Sequence, residues 1–109
     1  LNDVPAIALP YKPEKCGHTY QSYVIRILKG GRDKRNQIME HFQSLNIQTR
    51  PGTHAVHRLG YYRDKYALKP EQFPIAVSSE DTTITLPIFP GMTDSDSRLV
   101  VNTLKDALA

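Results

Sequence analysis

One stretch of the sequence concentrates side chains that can hold a phosphate group or a sugar hydroxyl. Its members are arginines, histidines and tyrosines: Arg50, His54, His57, Arg58, Tyr61, Tyr62 and Arg63. The guanidinium of arginine presents a planar fork of donors that matches phosphate, and tyrosine joins a rigid apolar face to a hydrogen-bonding tip. These residue types allow two interpretations, a ligand-binding loop or a surface loop whose tyrosines pack on the domain.

Two of these histidines also have a spacing that suits a metal ion. The His54-x-x-His57 pair could place both imidazole rings on one side of a helical turn. The preceding Pro51-Gly52 pair favours a loop instead, and no carboxylate or cysteine stands at a ligand spacing nearby. We therefore expect no metal site.

The sequence offers no nucleophile or phosphate cradle of its own. Cys16 lies in a proline-rich segment, and no serine stands in a tight glycine elbow. The Gly30-Gly31 pair lacks the longer glycine pattern and the lysine of a phosphate-binding loop, so it predicts a turn. Covalent catalysis by this chain alone is not expected.

Length and composition describe one ordinary domain. The 109 residues are 39% hydrophobic and 23% charged, near globular averages, and no apolar run approaches the roughly 20 residues that span a membrane. The single Cys16 cannot form an internal disulfide, which favours a reducing compartment and predicts a cytoplasmic protein. The opening Leu1-Asn-Asp-Val-Pro lacks a signal-peptide pattern and indicates the interior of a longer polypeptide.

Positive charge is concentrated in the first half of the chain. Residues 1–50 carry eight basic and four acidic side chains, whereas residues 51–109 carry six and seven, within a net charge of +3. The excess surrounds a predicted turn from strand to helix, at Lys29, Arg32, Lys34 and Arg35. A nucleic-acid site would interleave such charge with aromatic rings, and none occurs here before Phe42. We interpret these residues as a solvated helix start and expect no nucleic acid as a partner.

The elements that position the loop follow from periodicity and turn residues. Residues 1–17 contain three prolines and predict a linker or strap. Residues 18–28 alternate with apolar side chains on both faces, which is typical of a central strand covered on two sides. Asp33 is expected to cap the following helix, which ends near Asn46.

Shorter elements are predicted around the loop itself. A strand at 47–49 stops at the Pro51-Gly52 pair, and a helical turn covers 61–66. A short helix runs from residue 70 toward residue 81, with Pro74 in its first turn.

The last part of the chain completes the predicted fold. A strand at 82–86 precedes a final helix, which Thr93 and Asp96 cap in a Thr-x-x-Asp pattern. The order of elements predicts an α+β fold, with a small antiparallel or mixed sheet of about three strands packed by helices.

Three stretches of the sequence carry a resemblance to a known family. They are 18–27 (HTYQSYVIRI), 45–62 (LNIQTRPGTHAVHRLGYY) and 85–96 (TLPIFPGMTDSD). In order and spacing they are similar to the first strand, the histidine loop with paired tyrosines, and the Leu-Pro strand with its capped last helix in nucleotide-sugar aminotransferases of the DegT/StrS type. The resemblance implies that 18–109 is the C-terminal small domain of such an enzyme and that 1–17 links it to the large domain.

The same resemblance implies a cofactor and partners for the whole enzyme. It implies an aminotransferase of fold type I, a homodimer that moves an amino group, usually from glutamate, through pyridoxal phosphate to a keto-sugar nucleotide, for cell-surface polysaccharide or antibiotic sugars. The cofactor lysine of the family lies in the large domain, and none of the seven lysines here has the expected Ser-x-x-Lys context. This chain is therefore expected to hold no pyridoxal phosphate and to be inactive without the large domain and the second subunit.

The resemblance also assigns residues of the loop. His57 matches the family's histidine on the loop that approaches the active site, and Arg50 and His54 flank it, so these three are expected to contact the nucleotide sugar. His18 is expected to orient the start of the first strand, and the tyrosines at 61–62 are expected to pack the loop.

Two other interpretations stay open. A small binding module could use its sheet and basic turn for RNA or an acidic partner, although Tyr20 and Tyr23 are predicted on opposite strand faces, the wrong arrangement for a stacking platform. Alternatively, the domain folds but binds nothing until the large domain and the partner subunit complete its site.

Overall fold

A computed structural model describes all 109 residues and contains four strands and four α-helices. The elements are β1 (Ile7–Ala8), β2 (Tyr23–Ile27), α1 (Gly31–Ser44), β3 (Arg50–Pro51), α2 (Gly60–Tyr66), α3 (Pro74–Thr82), β4 (Thr83–Leu86) and α4 (Asp94–Leu108). Short 3₁₀ turns at Val56–Arg58 and Pro70–Gln72 precede α2 and α3. The predicted α+β fold class is confirmed.

The strands form one antiparallel sheet in the order β1-β2-β4-β3. At its centre Ile25 of β2 lies opposite Ile84 of β4. β1 is a fourth strand beyond the predicted three, and its buried Ile7 pairs with Ile27. The segment 1–17 thus contributes both a strand and a core residue.

The core lies between one face of the sheet and the helices α1 and α4. Its buried side chains are Ile7, Ile25, Ile27, Ile84 and Leu86 from the sheet, Ile38 and Phe42 from α1, and Val100 and Leu104 from α4. The two-residue period of a strand and the 3.6-residue period of a helix bring these positions to facing sides. The sheet and these two helices therefore enclose the hydrophobic core.

The opposite face of β2 is more polar than predicted. Val24 is half-buried there, and the exposed Arg26 points a guanidinium nitrogen at the Ser79 hydroxyl of α3, 3.4 Å away. The predicted strand at 18–28 is also shorter, because Tyr20 has a φ of +46° that an extended strand does not allow. The expectation of a strand covered by apolar contacts on both sides is wrong.

The start of α1 differs from its prediction. Gly30 and Gly31 take φ values of +87° and +54°, so the pair turns the chain from strand to helix in a region that favours glycine. The helix begins at this pair, with Gly30 as N-cap, and Asp33 lies inside the first turn. Asp33 is therefore not the cap, although its carboxylate still faces the positive end of the helix dipole.

The end of α1 sets the position of β3. Asn46 adopts a left-handed φ of +58°, and the amide of Ile47 donates to the Phe42 carbonyl in a helix-terminating turn. The strand predicted at 47–49 begins only at Arg50 and includes Pro51. Proline is tolerated because β3 is an edge strand, where a missing amide hydrogen is not needed for pairing.

The region between β3 and β4 contains two helices. The helical turn predicted at 61–66 is confirmed as α2, whereas the helix predicted from 70 to 81 is divided in two. Pro74 causes the division, since a proline disfavours helical geometry at the residue before it, and Phe73 has a φ of −133°. Pro74 then starts α3 as its first helical residue.

The final helix agrees with its prediction. The Thr93 hydroxyl accepts from the Asp96 amide at 3.1 Å, and the Asp96 carboxylate accepts from the Thr93 amide at 2.9 Å. These reciprocal bonds satisfy free donors at the start of α4. Neither α4 nor any other helix has the length and apolar character that crossing a membrane requires.

Candidate functional site

His57 lies beneath the loop surface. The 3₁₀ turn Val56–Arg58 carries it inward, where 5% of the residue is exposed and its ring stacks on Phe73 with centroids 4.8 Å apart. Its Nε2 atom is buried and has no hydrogen-bond partner within the chain. A buried polar atom without a partner is costly, which distinguishes His57 from the other histidine of the loop.

Arg58 fastens the loop to α3. Its guanidinium donates to both oxygens of Asp81, at 2.6 and 3.1 Å, and to Glu80 at 2.8 Å. These hydrogen bonds lower the pKa of the Asp81 carboxyl and raise the pKa of Arg58. Since both carboxylates occupy its donors, Arg58 has a structural role and is not a free phosphate ligand.

His54 lies at the surface above this ion pair. Its side chain is 68% exposed, and Nδ1 is 3.9 Å from a Glu80 oxygen. That separation is too long for a hydrogen bond. His54 is therefore accessible to a ligand, in contrast to the buried His57 three residues later.

Arg50 is the third predicted site residue. It lies on β3 opposite Thr85, its side chain is exposed, and it takes part in no salt bridge. It borders a groove of about 830 Å³ that lies between the end of α1 and the strands β3 and β4. The structure therefore places Arg50 on a groove, His54 at the loop surface and His57 below it, rather than gathering all three around one cavity.

The rest of the predicted cluster is exposed. Tyr61 and Tyr62 meet edge to face at 5.2 Å and are 66% and 41% exposed, so they pack on each other rather than on the domain. Arg63 is paired with the neighbouring Asp64 at 2.8 Å, and Lys65 donates to the Tyr61 hydroxyl at 3.0 Å. These side chains present a mixed polar and aromatic surface on α2.

The basic start of α1 is not the solvated surface that was predicted. Arg35 is buried, and its Nε atom has no hydrogen-bond partner. Burial lowers the pKa of its guanidinium, with a further lowering from Arg32. Lys34 donates to the Ala107 carbonyl at 2.9 Å and so caps the last turn of α4. Of the four basic residues, Lys34 thus joins α1 to α4 and Arg35 is buried, whereas Lys29 and Arg32 are exposed as predicted.

An aromatic column precedes β2. The rings of His18 and Tyr20 stack with centroids 4.2 Å apart, and Tyr20 stacks on Tyr23 at 6.0 Å. The prediction that Tyr20 and Tyr23 point to opposite faces is wrong, because the left-handed backbone at Tyr20 turns its ring back toward Tyr23. His18 also accepts the Tyr20 amide hydrogen at 2.9 Å, which supports its predicted role in ordering the strand start.

A second groove is almost entirely apolar. It measures about 460 Å³ and is bordered by Leu9, Tyr23, Leu86, Met92 and Val100, among others.

No group of three or more histidine, cysteine, aspartate or glutamate side chains comes together to hold a metal ion. The sequence signal of His54-x-x-His57 is therefore not matched by a third ligand.

The lysines of the chain do not form a cofactor site. Lysine borders neither groove, and Lys105 is engaged with the Asp3 carboxylate at 2.6 Å. Pyridoxal phosphate needs a lysine, a carboxylate at its ring nitrogen and a phosphate cup in one place. Neither of the two grooves fits that cofactor.

The chain resembles known proteins in both sequence and fold. The model of the DegT/DnrJ/EryC1/StrS aminotransferase family matches residues 1–105. The spore coat polysaccharide biosynthesis protein SpsC of Bacillus subtilis (strain 168) is 27% identical over 108 residues, which are 97% of this chain and 28% of SpsC.

Solved structures share the fold at lower identity. The protein Spr1654 of Streptococcus pneumoniae, solved in a PLP form and described as a candidate sugar aminotransferase, gives a TM-score of 0.85 at 19% identity, covering 94% of this chain and 26% of Spr1654. The aminotransferase PseC of Helicobacter pylori, involved in pseudoaminic acid biosynthesis, gives 0.85 at 13% identity, covering 97% and 28%. The chain thus spans about a quarter of the length of these relatives.

Proposed function

Because the chain belongs to the DegT/DnrJ/EryC1/StrS aminotransferase family, we propose that it is the C-terminal small domain of an enzyme that transfers an amino group to a keto-sugar nucleotide. The observation that carries this proposal is the family match over residues 1–105. The 28% share of SpsC that the chain covers supports the assignment to one domain of a longer enzyme.

The cofactor is bound by the rest of that enzyme, outside this chain. Pyridoxal phosphate supplies the electron sink that amino transfer requires, and the grooves of this chain offer it no lysine. The chain is accordingly not catalytic alone. Its contribution is to bind and orient the substrate, with glutamate as the amino donor of the complete enzyme.

Three residues are proposed to contact the nucleotide sugar. Arg50 has an unpaired guanidinium on a groove and suits a phosphate oxygen. His54 is exposed on the loop that follows β3 and adds a second polar contact. His57 has a free, buried Nε2 atom, for which the substrate or the large domain provides the missing partner.

The segment from the 3₁₀ turn at Val56 to the first turn of α3 also suits a protein interface. Its apolar side chains remain exposed at Val56, Leu59, Tyr61, Tyr62, Tyr66, Phe73 and Ile75. Exposed apolar groups in such number mark a contact surface. We assign this surface to the large domain and the second subunit of a homodimer, in a cytoplasmic enzyme that makes sugars for a cell-surface polysaccharide, as the name of SpsC indicates for that relative.

One observation favours a second candidate function. The stacked rings of His18, Tyr20 and Tyr23 resemble the aromatic platforms that bind single-stranded RNA. An RNA-binding module would bind a labelled oligonucleotide at low salt and release it as salt rises. The absence of any salt-sensitive binding would remove this candidate.

The experiment that tests the proposed aminotransferase uses the complete polypeptide that carries this chain. Its intact mass is expected to be several times the 12.3 kDa of the chain, and its absorbance spectrum is expected to show a pyridoxal band that glutamate changes. Amino transfer from glutamate to a keto-sugar nucleotide should then be detected by mass spectrometry. A complete protein without the band and without transfer would contradict the proposal.

A further inference from the structure

The groove that Arg50 borders is lined mainly by neutral polar side chains. They are the carboxamides of Gln21, Gln43, Asn46 and Gln48 and the hydroxyls of Ser22, Thr49 and Thr85. Arg50 is the only charged residue in the lining, and no carboxylate belongs to it. In a chain in which 23% of residues are charged, such a surface is chemically distinct, and we call it the amide groove.

Most of these polar groups are free to bind a ligand. Gln21 accepts a hydrogen bond from Ser22 at 2.8 Å, and Thr85 reaches the Pro51 carbonyl only at 3.5 Å. The carboxamides of Gln43 and Gln48 form no hydrogen bond within the chain, and the same holds for Asn46. The groove therefore presents several unused donors and acceptors on one concave surface.

The chemistry of the amide groove selects its ligand. A carboxamide carries two donors and an acceptor with two lone pairs, and a hydroxyl is both donor and acceptor, as is each hydroxyl of a sugar. Phe89 is 53% exposed and Ile88 is 43% exposed in the same lining, so the groove also offers an apolar wall for the C–H face of a sugar ring. The lack of carboxylates argues against a metal ion or an amine, and a single cation is too little for a nucleic-acid strand.

We infer that the amide groove binds the sugar ring of the substrate, with Arg50 at its edge for the adjoining phosphate. This inference rests on the proposed function and names the part of the molecule that the small domain recognises. The ring lies against Phe89, and its hydroxyls exchange hydrogen bonds with Gln43 and Gln48. Specificity for the sugar is then determined by side chains on α1 and on the segment before β3.

Two methionines allow a direct test in the complete protein. Met39 borders only the amide groove, whereas Met92 borders only the neighbouring apolar groove, which shares Leu86, Pro87 and Ile88 with it. The protein is labelled with ¹³C at the methionine methyl groups, and each resonance is assigned by its loss in Met39→Leu or Met92→Leu. Methyl α-D-glucoside and UDP-glucose are then titrated in turn. The Met39 resonance is expected to shift in a saturable way with both, and the Met92 resonance is expected to shift less, because Met92 does not line the amide groove.

Matched variants locate the binding surface. Gln48→Ala removes one neutral hydrogen bond and should weaken both probes by about fivefold. Gln37→Ala changes an exposed residue of α1 outside the groove and should leave both dissociation constants unchanged. Arg50→Ala should weaken UDP-glucose and leave the glucoside unaffected, because only the nucleotide sugar carries phosphate.

The outcomes separate this inference from the proposed function. A Met39 resonance that neither probe moves, or a Gln48→Ala variant that binds both probes as before, would overturn the inference even if the enzyme aminates a keto-sugar nucleotide. A response of Met39 that Gln48→Ala weakens would support it, even if no keto-sugar nucleotide is aminated and the proposed function fails.

Discussion

The guanidinium of Arg58 donates two hydrogen bonds, of 2.6 and 3.1 Å, to the Asp81 carboxylate, and the two residues are 23 positions apart in the sequence. The two side chains are 25% and 20% exposed, so solvent screens the pair only in part. His57 precedes Arg58 directly in the same 3₁₀ turn and stacks on Phe73. The ion pair is therefore a support of the candidate site.

Removing the guanidinium should detach the loop. Arg58→Ala is expected to lower the free energy of unfolding by about 1–2 kcal/mol, because two carboxylates lose a charged hydrogen-bond partner. Urea denaturation of the 109-residue chain measures the change. Arg63→Ala is the matched control, since Arg63 pairs with the exposed Asp64, and it should change stability by about 0.5 kcal/mol or less. Equal effects of the two substitutions would contradict the structural role of Arg58.

The same pair should make stability depend on acid. Hydrogen bonds from Arg58 hold the pKa of Asp81 below its ordinary value of 3.8, so the folded chain binds the proton more weakly than the unfolded chain. The contribution of the pair is then complete above pH 3.8 and is lost as the pH falls below that value. The difference in stability between the wild type and Asp81→Asn, measured at pH 6 and at pH 3, should shrink at the lower pH. A difference that grows toward pH 3 would reverse the assigned direction of the pKa.

Substitution of Gly30 and of Gly31 by alanine should be destabilising for different reasons. Gly31→Ala should cost about 1 kcal/mol, because its φ of +54° disfavours a side chain although a Cβ atom there meets no neighbour. Gly30→Ala should cost more, since its Cβ would also lie 2.6 Å from the Cβ of Lys34. Thermal unfolding of both variants gives the order. A Gly30→Ala variant as stable as Gly31→Ala would show that the contact relaxes without cost.

The cap of α4 provides a test of local structure. Thr93→Ala removes a hydroxyl that accepts from the Asp96 amide and should lower the free energy of unfolding by about 1 kcal/mol. Ser95→Ala, in the same exposed first turn but without a side-chain hydrogen bond, is the control and should have little effect. Chemical denaturation followed by circular dichroism compares them. The cap would have no measurable role if Thr93→Ala matched the control.

The role of His57 requires a substitution that keeps the stack on Phe73. His57→Phe in the complete enzyme preserves a buried ring but removes Nε2, and it should lower kcat/KM for the nucleotide sugar by about three- to tenfold, the loss of one hydrogen bond. His57→Ala should in addition lower the melting temperature, because it leaves a cavity below Phe73. If His57→Phe leaves both turnover and substrate affinity unchanged, His57 is a packing residue only.

The parts of the fold that sequence predicts are those with local signals. The capping pair Thr93 and Asp96 lies within four residues, and the alternation of β2 is read from five. In contrast, β1 is two residues long and exists only because β2 offers it an edge. Such a strand has no period of its own, so it was outside the reach of any pattern in the sequence.

The candidate site shows the same limit. Residue types identified Arg50, His54 and His57 as polar groups on one loop, but their burial depends on partners far along the chain. His57 is covered by Phe73, and the donors of Arg58 are occupied by carboxylates of α3. The Gln48 side chain of the amide groove gave no signal, since glutamine in a sequence indicates neither a groove nor a free carboxamide.

Both edge strands of the sheet are short, and this limits how a strand of another molecule can pair with the sheet. β1 and β3 pair over only two residues each, and Pro51 removes an amide hydrogen from the outer side of the chain at β3. A second molecule therefore finds no long row of unpaired backbone groups along which to add a strand. The exposed tyrosines of α2 lie away from these edges and offer side-chain contacts instead. Short edges of this kind disfavour the addition of a strand from another molecule.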